Sequence, residues 1–408
     1  MSIEAARLFL NRLIEVEPRA YFVGGCVRDA LLGVHTYDVD VSIESDVFET
    51  LEKLALAYPN TYHIKFSALC TAQLKIGIHH IDIASFRDDH FPSEDGLPVT
   101  KPGTLETDMM RRDFTVNTGY VLISNKTIEE ILTDKPNKHL NLYKSHPNML
   151  MDLKQKQLVV MHEKSFLEDA SRMLRAVKYM HVLDFKLSPE TQRLFIEAQM
   201  RGVIQKYSMS RFVHILSGFL KLTCGLNIIK TLAIEGLLTG ISSFTEQQFN
   251  TLVDQVHQIS KWVSLDSVQL RLTLVLKLYE HQLALLSSMP EFKSPMCLKH
   301  IERLKNELAP SKLWYFNHFN KEDVVVKAFL LIASDVSQIH KSQILYDHMH
   351  FRHIQLAING NDVIEQGIEQ GKEVGILLQR LLEEQLINNR NYSRQEALEW
   401  LYQYKMKE

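Results

Sequence analysis

Apolar and polar positions change rhythm once along this chain. Through the first third, short runs rich in β-branched and aromatic residues predict strands: "YFVGGCV" (21–27), "DVDVSIE" (38–44), "AQLKIGIHHIDIASF" (72–86) and "NTGYVLIS" (117–124). Among them, "SDVFETLEKLALAYP" (45–59) has apolar residues at helical spacing and stops at a proline, which predicts a helix. The opening stretch "MSIEAARLFLNRLIEVEP" (1–18) reads as another helix. From about residue 150 the strand-like runs cease. "LEDASRMLRAVKYMHVL" (167–183), "PETQRLFIEAQM" (189–200), "RFVHILSGFLKL" (211–222), "EQQFNTLVDQVHQISKWV" (246–263), "DSVQLRLTLVLKLYEHQ" (266–282) and "CLKHIERLKNELA" (297–309) all carry the helical period. So do "DVVVKAFLLIAS" (323–334), "EVGILLQRLLEEQLI" (373–387) and "SRQEALEWLYQYK" (393–405). The expected fold is an α/β head followed by a long all-helical remainder, with breaks near residues 146–152 and 309–323. No repeat of fixed period and no low-complexity segment interrupts it.

Composition adds limits rather than a function. The 408 residues are 45% hydrophobic and 23% charged, ordinary for a globular chain with a sizeable core. No run of 18 apolar residues exists, so no membrane span is expected. The first residues lack the basic region and cleavage site of a signal peptide. Cys26, Cys70, Cys224 and Cys297 are scattered without metal-ligand spacing, which fits reduced thiols in the cytoplasm. The net charge of −3 gives no global argument for nucleic acid; binding would need a local basic face.

Candidate chemistry concentrates in "YFVGGCVRDALLGVHTYDVDVSI" (21–43). Gly24 and Gly25 let the backbone pass close to a ligand and aim amide N–H groups at it. A helix start directly after them makes an anion site, and Arg28 adds forked donors suited to phosphate oxygens. Alone, the glycine pair is weak evidence and reads more readily as a tight strand-to-helix turn. Asp38 and Asp40, two residues apart on a strand, share one face. Side-by-side carboxylates call for a cation, and Mg²⁺ takes few protein oxygens when phosphates supply the rest. A solvated edge strand is the bland alternative. Asp82, on a strand expected to pair nearby, is a candidate third carboxylate: a base for an attacking hydroxyl, a further metal ligand, or simply a polar strand residue.

"RRDFTVN" (111–117) and "EDASRMLRAVKY" (168–179) carry further charge. In the second, Asp169 and Arg172 are spaced i, i+3 on an expected helix, and Arg172, Arg175 and Lys178 recur every three residues along one side. Spacing alone also fits a solvated charged face.

Taken together and in this order, "VGGCVRDALLG…DVDVSI", "RRDFTVN" and "LEDASRMLRAVKY" resemble the signature motifs of class II tRNA nucleotidyltransferases, the family of CCA-adding enzymes and bacterial poly(A) polymerases. The similarity covers about the first half of the chain. The last segment, from "INGNDVIEQG", resembles the tail of the Gram-positive CCA-adding enzymes. The resemblance implies a nucleotidyltransferase head (1–148), a helical neck with a base template (149–210), a helical body (211–320) and a tRNA-binding tail (321–408). It implies Asp38 and Asp40 as metal-binding catalytic residues, Mg²⁺ as cofactor, and Arg112 as a nucleotide contact, with Arg111 and Asp113 as support. Asp169 and Arg172 would read the Watson–Crick edge of the incoming base, rejecting UTP and GTP because their edges leave these groups unpaired. Arg175 and Lys178 would help hold the nucleotide.

Three departures stand out. The family commonly has arginine where Lys178 stands and a glutamate, which braces the template helix, where Ser210 stands. The loop at 88–103 has a family-like length but lacks the usual arginines. "HMHFRH" (348–353) has no metal-ligand spacing and reads as loop or surface.

The implied activity is addition of C, C and A to tRNA from CTP and ATP, with no membrane and no obligatory protein partner. The alternatives are a CC-adding or A-adding partial enzyme, a poly(A) polymerase, or a homologue that binds tRNA without chemistry.

Overall fold

The computed structural model describes residues 2–57, 64–67, 71–91, 98–132, 140–290, 324–333, 336, 338, 341–342, 345 and 353–406. The expected helix at 297–309, the break at 309–323, Cys70, Cys297, the middle of the 88–103 loop and all of "HMHFRH" but His353 lie outside the described residues. The chain divides into two compact units, residues 1–208 with 237–239, and residues 209–236 with 240–408.

The first unit is built on a six-stranded mixed sheet. Its strands are β1 (Ala20–Val23), β2 (Asp38–Ile43), β3 (Ile64–Ser67), β4 (Thr71–Ile76), β5 (His79–Ser85) and β8 (Tyr120–Leu122), in the order β3-β4-β5-β2-β1-β8. Only β2 and β5 run parallel; the other neighbours are antiparallel. A separate hairpin joins β6 (Arg87–His90) to β7 (Val99–Pro102). One sheet face is apolar: Val39, Val41 and Ile43 on β2, Ala72 and Leu74 on β4, and Ile81 and Ile83 on β5 are all buried. Period-two alternation therefore turns Asp38, Asp40, Gln73, Lys75, His80 and Asp82 to the other face. Helices α1 (Ser2–Val16) and α3 (Val47–Ala57) pack together in this unit. Ala6, Phe9, Leu10 and Leu13 give α1 its buried stripe.

Three expectations need correction. "YFVGGCV" is not all strand: β1 ends at Val23, and Gly24, at φ +65°, starts α2 (Gly24–Leu32). The long run 72–86 is a hairpin, turning at Gly77 with φ +62°. "NTGYVLIS" holds only the three residues of β8, preceded by a 3₁₀ turn over Thr115–Asn117.

The rest of this unit is helical apart from β9 (Gln157–Leu158) and β10 (Lys186–Leu187), a short parallel pair. Its helices are α4 (Leu105–Met110), α5 (Asn125–Leu132), α6 (Met149–Gln155), α7 (Ser165–Glu168), α8 (Ser171–Val182), α9 (Pro189–Met200) and α10 (Val203–Lys206).

The second unit is helical among its described residues: α11 (Met209–Leu220), α12 (Gly225–Ile234), α13 (Glu246–Ser260), α14 (Ser267–Leu278), α15 (Val324–Ile332), α16 (Gly360–Glu365), α17 (Lys372–Asn388) and α18 (Arg394–Lys405). Side chains at the N-caps fix several starts, with reciprocal pairs Thr245–Gln248, Asp266–Gln269 and Ser393–Glu396. Val363, Leu377, Leu381, Ala397 and Leu401 form a buried cluster joining the last three helices. None of the described helices is long and apolar enough to cross a membrane. Cys26 and Cys224 are free thiols.

Candidate active site

The polar face of the sheet is ordered in rows by strand register. Asp40 on β2 is the partner of Asp82 on β5, which is the partner of Gln73 on β4. One pleat away, Asp38 is the partner of His80, and His80 of Lys75. Five of these six side chains are exposed and Asp40 is half-buried. All six line one cavity of about 1020 Å³.

Its other wall comes from α2 and α8: Gly25, Arg28 and Asp29 from the first, Arg175, Lys178 and Tyr179 from the second. The carboxylates crowd one another. Partial desolvation by its crowded neighbours raises the Asp82 carboxyl above its ordinary value, the Asp40 charge raises it further, and a Gln73 hydrogen bond opposes both. Burial likewise raises Asp40, offset in part by Arg112, Arg175 and the Gly25 N–H, which donates to Asp40 Oδ2 at 3.3 Å. A cation beside these groups would relieve both shifts.

Among the described residues no three His, Cys, Asp or Glu side chains gather into a ligand shell of their own. Asp38 and Asp40, two carboxylates on one face of β2, suit a hard divalent ion whose remaining ligands are phosphate oxygens and water.

The glycine turn is held from behind. A Cβ on Gly24 would meet Arg112 Nη1 at 3.1 Å and Asp40 Oδ2 at 3.3 Å. The backbone thus packs directly between a cation and a carboxylate. Arg112 does not line the cavity. It donates to Asp108 Oδ2 at 2.9 Å, to the Tyr120 hydroxyl at 3.1 Å and to the Asn117 carbonyl at 3.4 Å. Asp108 is fully buried and accepts from Arg111, Arg112 and Tyr120. Burial alone would raise its carboxyl, but the two arginines outweigh burial and hold it at about 2. The sequence singles out neither Asp108 nor Tyr120; the Asp four residues before Arg112 is the only signal for either.

The wall cations are also anchored. Arg28 donates from Nε to Asp29 at 2.8 Å and from Nη1 to Asn117 at 2.7 Å, and lies 4.8 Å from the Tyr179 ring centre. Arg175 donates to Asp113 Oδ2 at 2.6 Å and to the Tyr179 hydroxyl at 2.9 Å. Asp113 raises the Arg175 pKa, while burial and then Arg175 and Arg28 lower that of Lys178. Three cations around Tyr179 leave positive charge facing the carboxylate row, an arrangement fit to receive a polyphosphate. Tyr179 is the last residue of the quoted helix motif, and spacing alone gives it no role.

Asp169 and Arg172 differ from expectation. Asp169 is not on the helix: it has extended backbone between α7 and α8, and Oδ1 accepts from the Ser171 N–H at 2.9 Å. Local capping outcompetes helix continuation here. Arg172 lies in the first turn of α8, is buried, and donates to Ser165 Oγ at 2.7 Å and the Arg111 carbonyl at 2.8 Å. Neither is among the residues lining the cavity.

Residues 20–135 match the family model of the poly A polymerase head domain. An A-adding tRNA nucleotidyltransferase of Aquifex aeolicus is 33% identical over 196 residues, 48% of this chain and 22% of that protein, so the chain spans under a quarter of that relative's length. A CCA-adding enzyme of Lactobacillus delbrueckii subsp. bulgaricus is 28% identical over 399 residues, covering 92% of this chain and 91% of that one. A solved CCA-adding enzyme in its apo form shares the fold, with a TM-score of 0.59 at 22% identity over 98% of this chain and 95% of that one.

Proposed function

We propose that this chain, whose residues 20–135 belong to the poly A polymerase head-domain family, is a tRNA nucleotidyltransferase that adds C, C and A from CTP and ATP. The observation that supports it most is a single cavity with Asp38, Asp40 and Asp82 on one wall and Arg28, Arg175 and Lys178 on the other. A triphosphate lies against the three cations. The 3′-hydroxyl of the RNA approaches the carboxylate row and attacks the α-phosphorus, and pyrophosphate departs. Asp82, whose raised pKa suits a proton acceptor, takes the hydroxyl proton. Mg²⁺ bound by Asp38 and Asp40, when present, supplies charge neutralisation at the phosphates. Positioning and fixed charge provide most of the catalysis.

Base choice is assigned to Asp169 and Arg172 on the strength of the motif resemblance. In the structure Arg172 spends its donors on Ser165 and Arg111. Reading a base therefore requires exchanging protein bonds for base bonds, which penalises a base with the wrong edge. Residues 149–210 serve as neck, with body and tail, 211–320 and 321–408, holding tRNA in the cytoplasm.

The partial-addition reading has an observation of its own: the A-adding relative is 33% identical over 196 residues, about half of this chain, against 28% over 399 residues for the CCA-adding one. The test is to incubate the protein with CTP, ATP and tRNAs ending at the discriminator base, at C or at CC, and to sequence the products. Complete CCA on all three supports full addition. Failure to extend a CC end assigns CC addition, extension of the CC end alone assigns A addition, and long A tracts assign poly(A) synthesis. No extension of any RNA leaves the non-catalytic reading.

A further inference from the structure

The cavity has a second basic edge that the scheme above does not use. Lys75 and His80 are cross-strand partners on β4 and β5, both exposed and both lining the cavity with Gly77 and Thr36. Among the described residues no ion pair engages Lys75. In the strand order β4-β5-β2-β1 they lie on one side of Asp38 and Asp40, while Arg28 sits on the helix that leaves β1 on the other side. Lys178 Nζ lies 5.8 Å from the Tyr179 ring centre and Arg28 lies 4.8 Å from it, which places Lys178 with the Arg28 group. Asp38 and Asp40 on β2 thus separate two sets of phosphate donors.

Joining two phosphate-bearing molecules needs such a division. The incoming triphosphate occupies one set. The attacking strand brings its hydroxyl to the carboxylate row and its own terminal phosphodiester one nucleotide's length away. The Lys75–His80 row is displaced from the Asp40–Asp82 row by two strand residues, about 6.6 Å. With the reach of a lysine side chain, that distance matches. We propose that Lys75 and His80 form a phosphate clamp that holds the 3′-terminal phosphodiester of the acceptor RNA, Lys75 as a point charge and His80 as an imidazole N–H donor. The proposal rests on the nucleotidyl-transfer reading and adds two positioning residues to it.

Lys75→Ala, His80→Ala, the double variant and Lys75→Arg are compared with the unaltered protein. The assays are steady-state incorporation and direct binding of a CC-ended oligonucleotide, the latter by fluorescence anisotropy. The double variant should raise the RNA KM and the oligonucleotide Kd about tenfold. KM for CTP and kcat at saturating RNA should stay as they were. The slope of log affinity against log salt should fall by about 0.7 for each phosphate no longer neutralised. Lys75→Arg should restore most of the affinity. Unchanged RNA KM, or a change confined to CTP or to metal requirement, overturns the clamp and makes the pair a charge balance for the carboxylates. If the unaltered protein neither extends nor binds RNA, the nucleotidyl-transfer reading itself falls and the clamp with it. Normal extension with indifferent variants removes the clamp alone.

Discussion

At the scale of single residues, the site depends on what Asp40 touches. Its Oδ2 accepts from the Gly25 N–H and faces Gly24, whose backbone is left-handed. Asp38→Ala or Asp40→Ala should cut nucleotide incorporation by at least about 10²-fold, in line with other losses of charge stabilisation. The far-ultraviolet circular dichroism spectrum should not change. Gly24→Ala is a sharper test. A methyl at φ +65° is strained by about 1–2 kcal/mol and pushes on both Arg112 and Asp40. Thermal unfolding should show that modest loss, whereas incorporation should fall far more, because the carboxylate is displaced.

These residues were legible in the sequence because period two and chain proximity suffice to place Asp38 and Asp40 on one face. Asp82 opposite Asp40 was not, since the register between β2 and β5 is a tertiary fact. Arg112 entered only through the family resemblance, as a nucleotide contact; its place behind the turn, fixed by Asp108 and Tyr120, cannot be read from spacing.

Among the elements, the decisive joint is between the Arg111–Asn117 stretch and α8. Asp113 accepts from the Phe114 N–H at 2.9 Å, from Asn117 Nδ2 at 2.8 Å and from Arg175 Nε at 2.6 Å. Asp113→Ala leaves buried donors without an acceptor and frees Arg175 to swing. A loss of about 2–4 kcal/mol in chemical denaturation is expected. The KM for CTP should rise, because Arg175 lines the cavity. Asp113→Asn, which keeps one acceptor oxygen, should lose less on both counts. Helices α8, α9 and α18 were legible from their apolar period. The break before α8 was not, because the Asp169 side chain satisfies a backbone N–H that a continuous helix would have used otherwise.

For the whole molecule, the two kinds of carboxylate set opposite pH trends. Asp108 is held at about 2 against 3.8 for its ordinary value, so its contribution is complete above pH 3.8 and disappears as pH falls toward 2. Asp40 and Asp82 are raised, so the folded state binds their protons more tightly and loses stability as pH rises above 3.8. Melting temperatures measured across pH without metal should therefore peak on the acid side of neutrality. Mg²⁺ at pH 7 should raise the melting temperature of the unaltered protein, and much less so that of Asp40→Asn. Asp108→Asn should flatten the acid limb.

The parallel pairing inside the six-stranded sheet, β2 with β5, bears on how quickly the chain reaches this state. The β4–β5 hairpin can close locally, but β5 must then dock beside a strand laid down far earlier in the chain, with α3 between them. Such long-range pairing is slow because loop closure precedes its reward. At this step it also brings Asp40 against Asp82. Charge repulsion at the reacting centre thus becomes part of the folding barrier. In stopped-flow refolding at pH 7 without metal, Asp40→Asn and Asp82→Asn should each refold faster than the unaltered protein, with the unfolding arm changed less, and divalent cation should erase most of that difference.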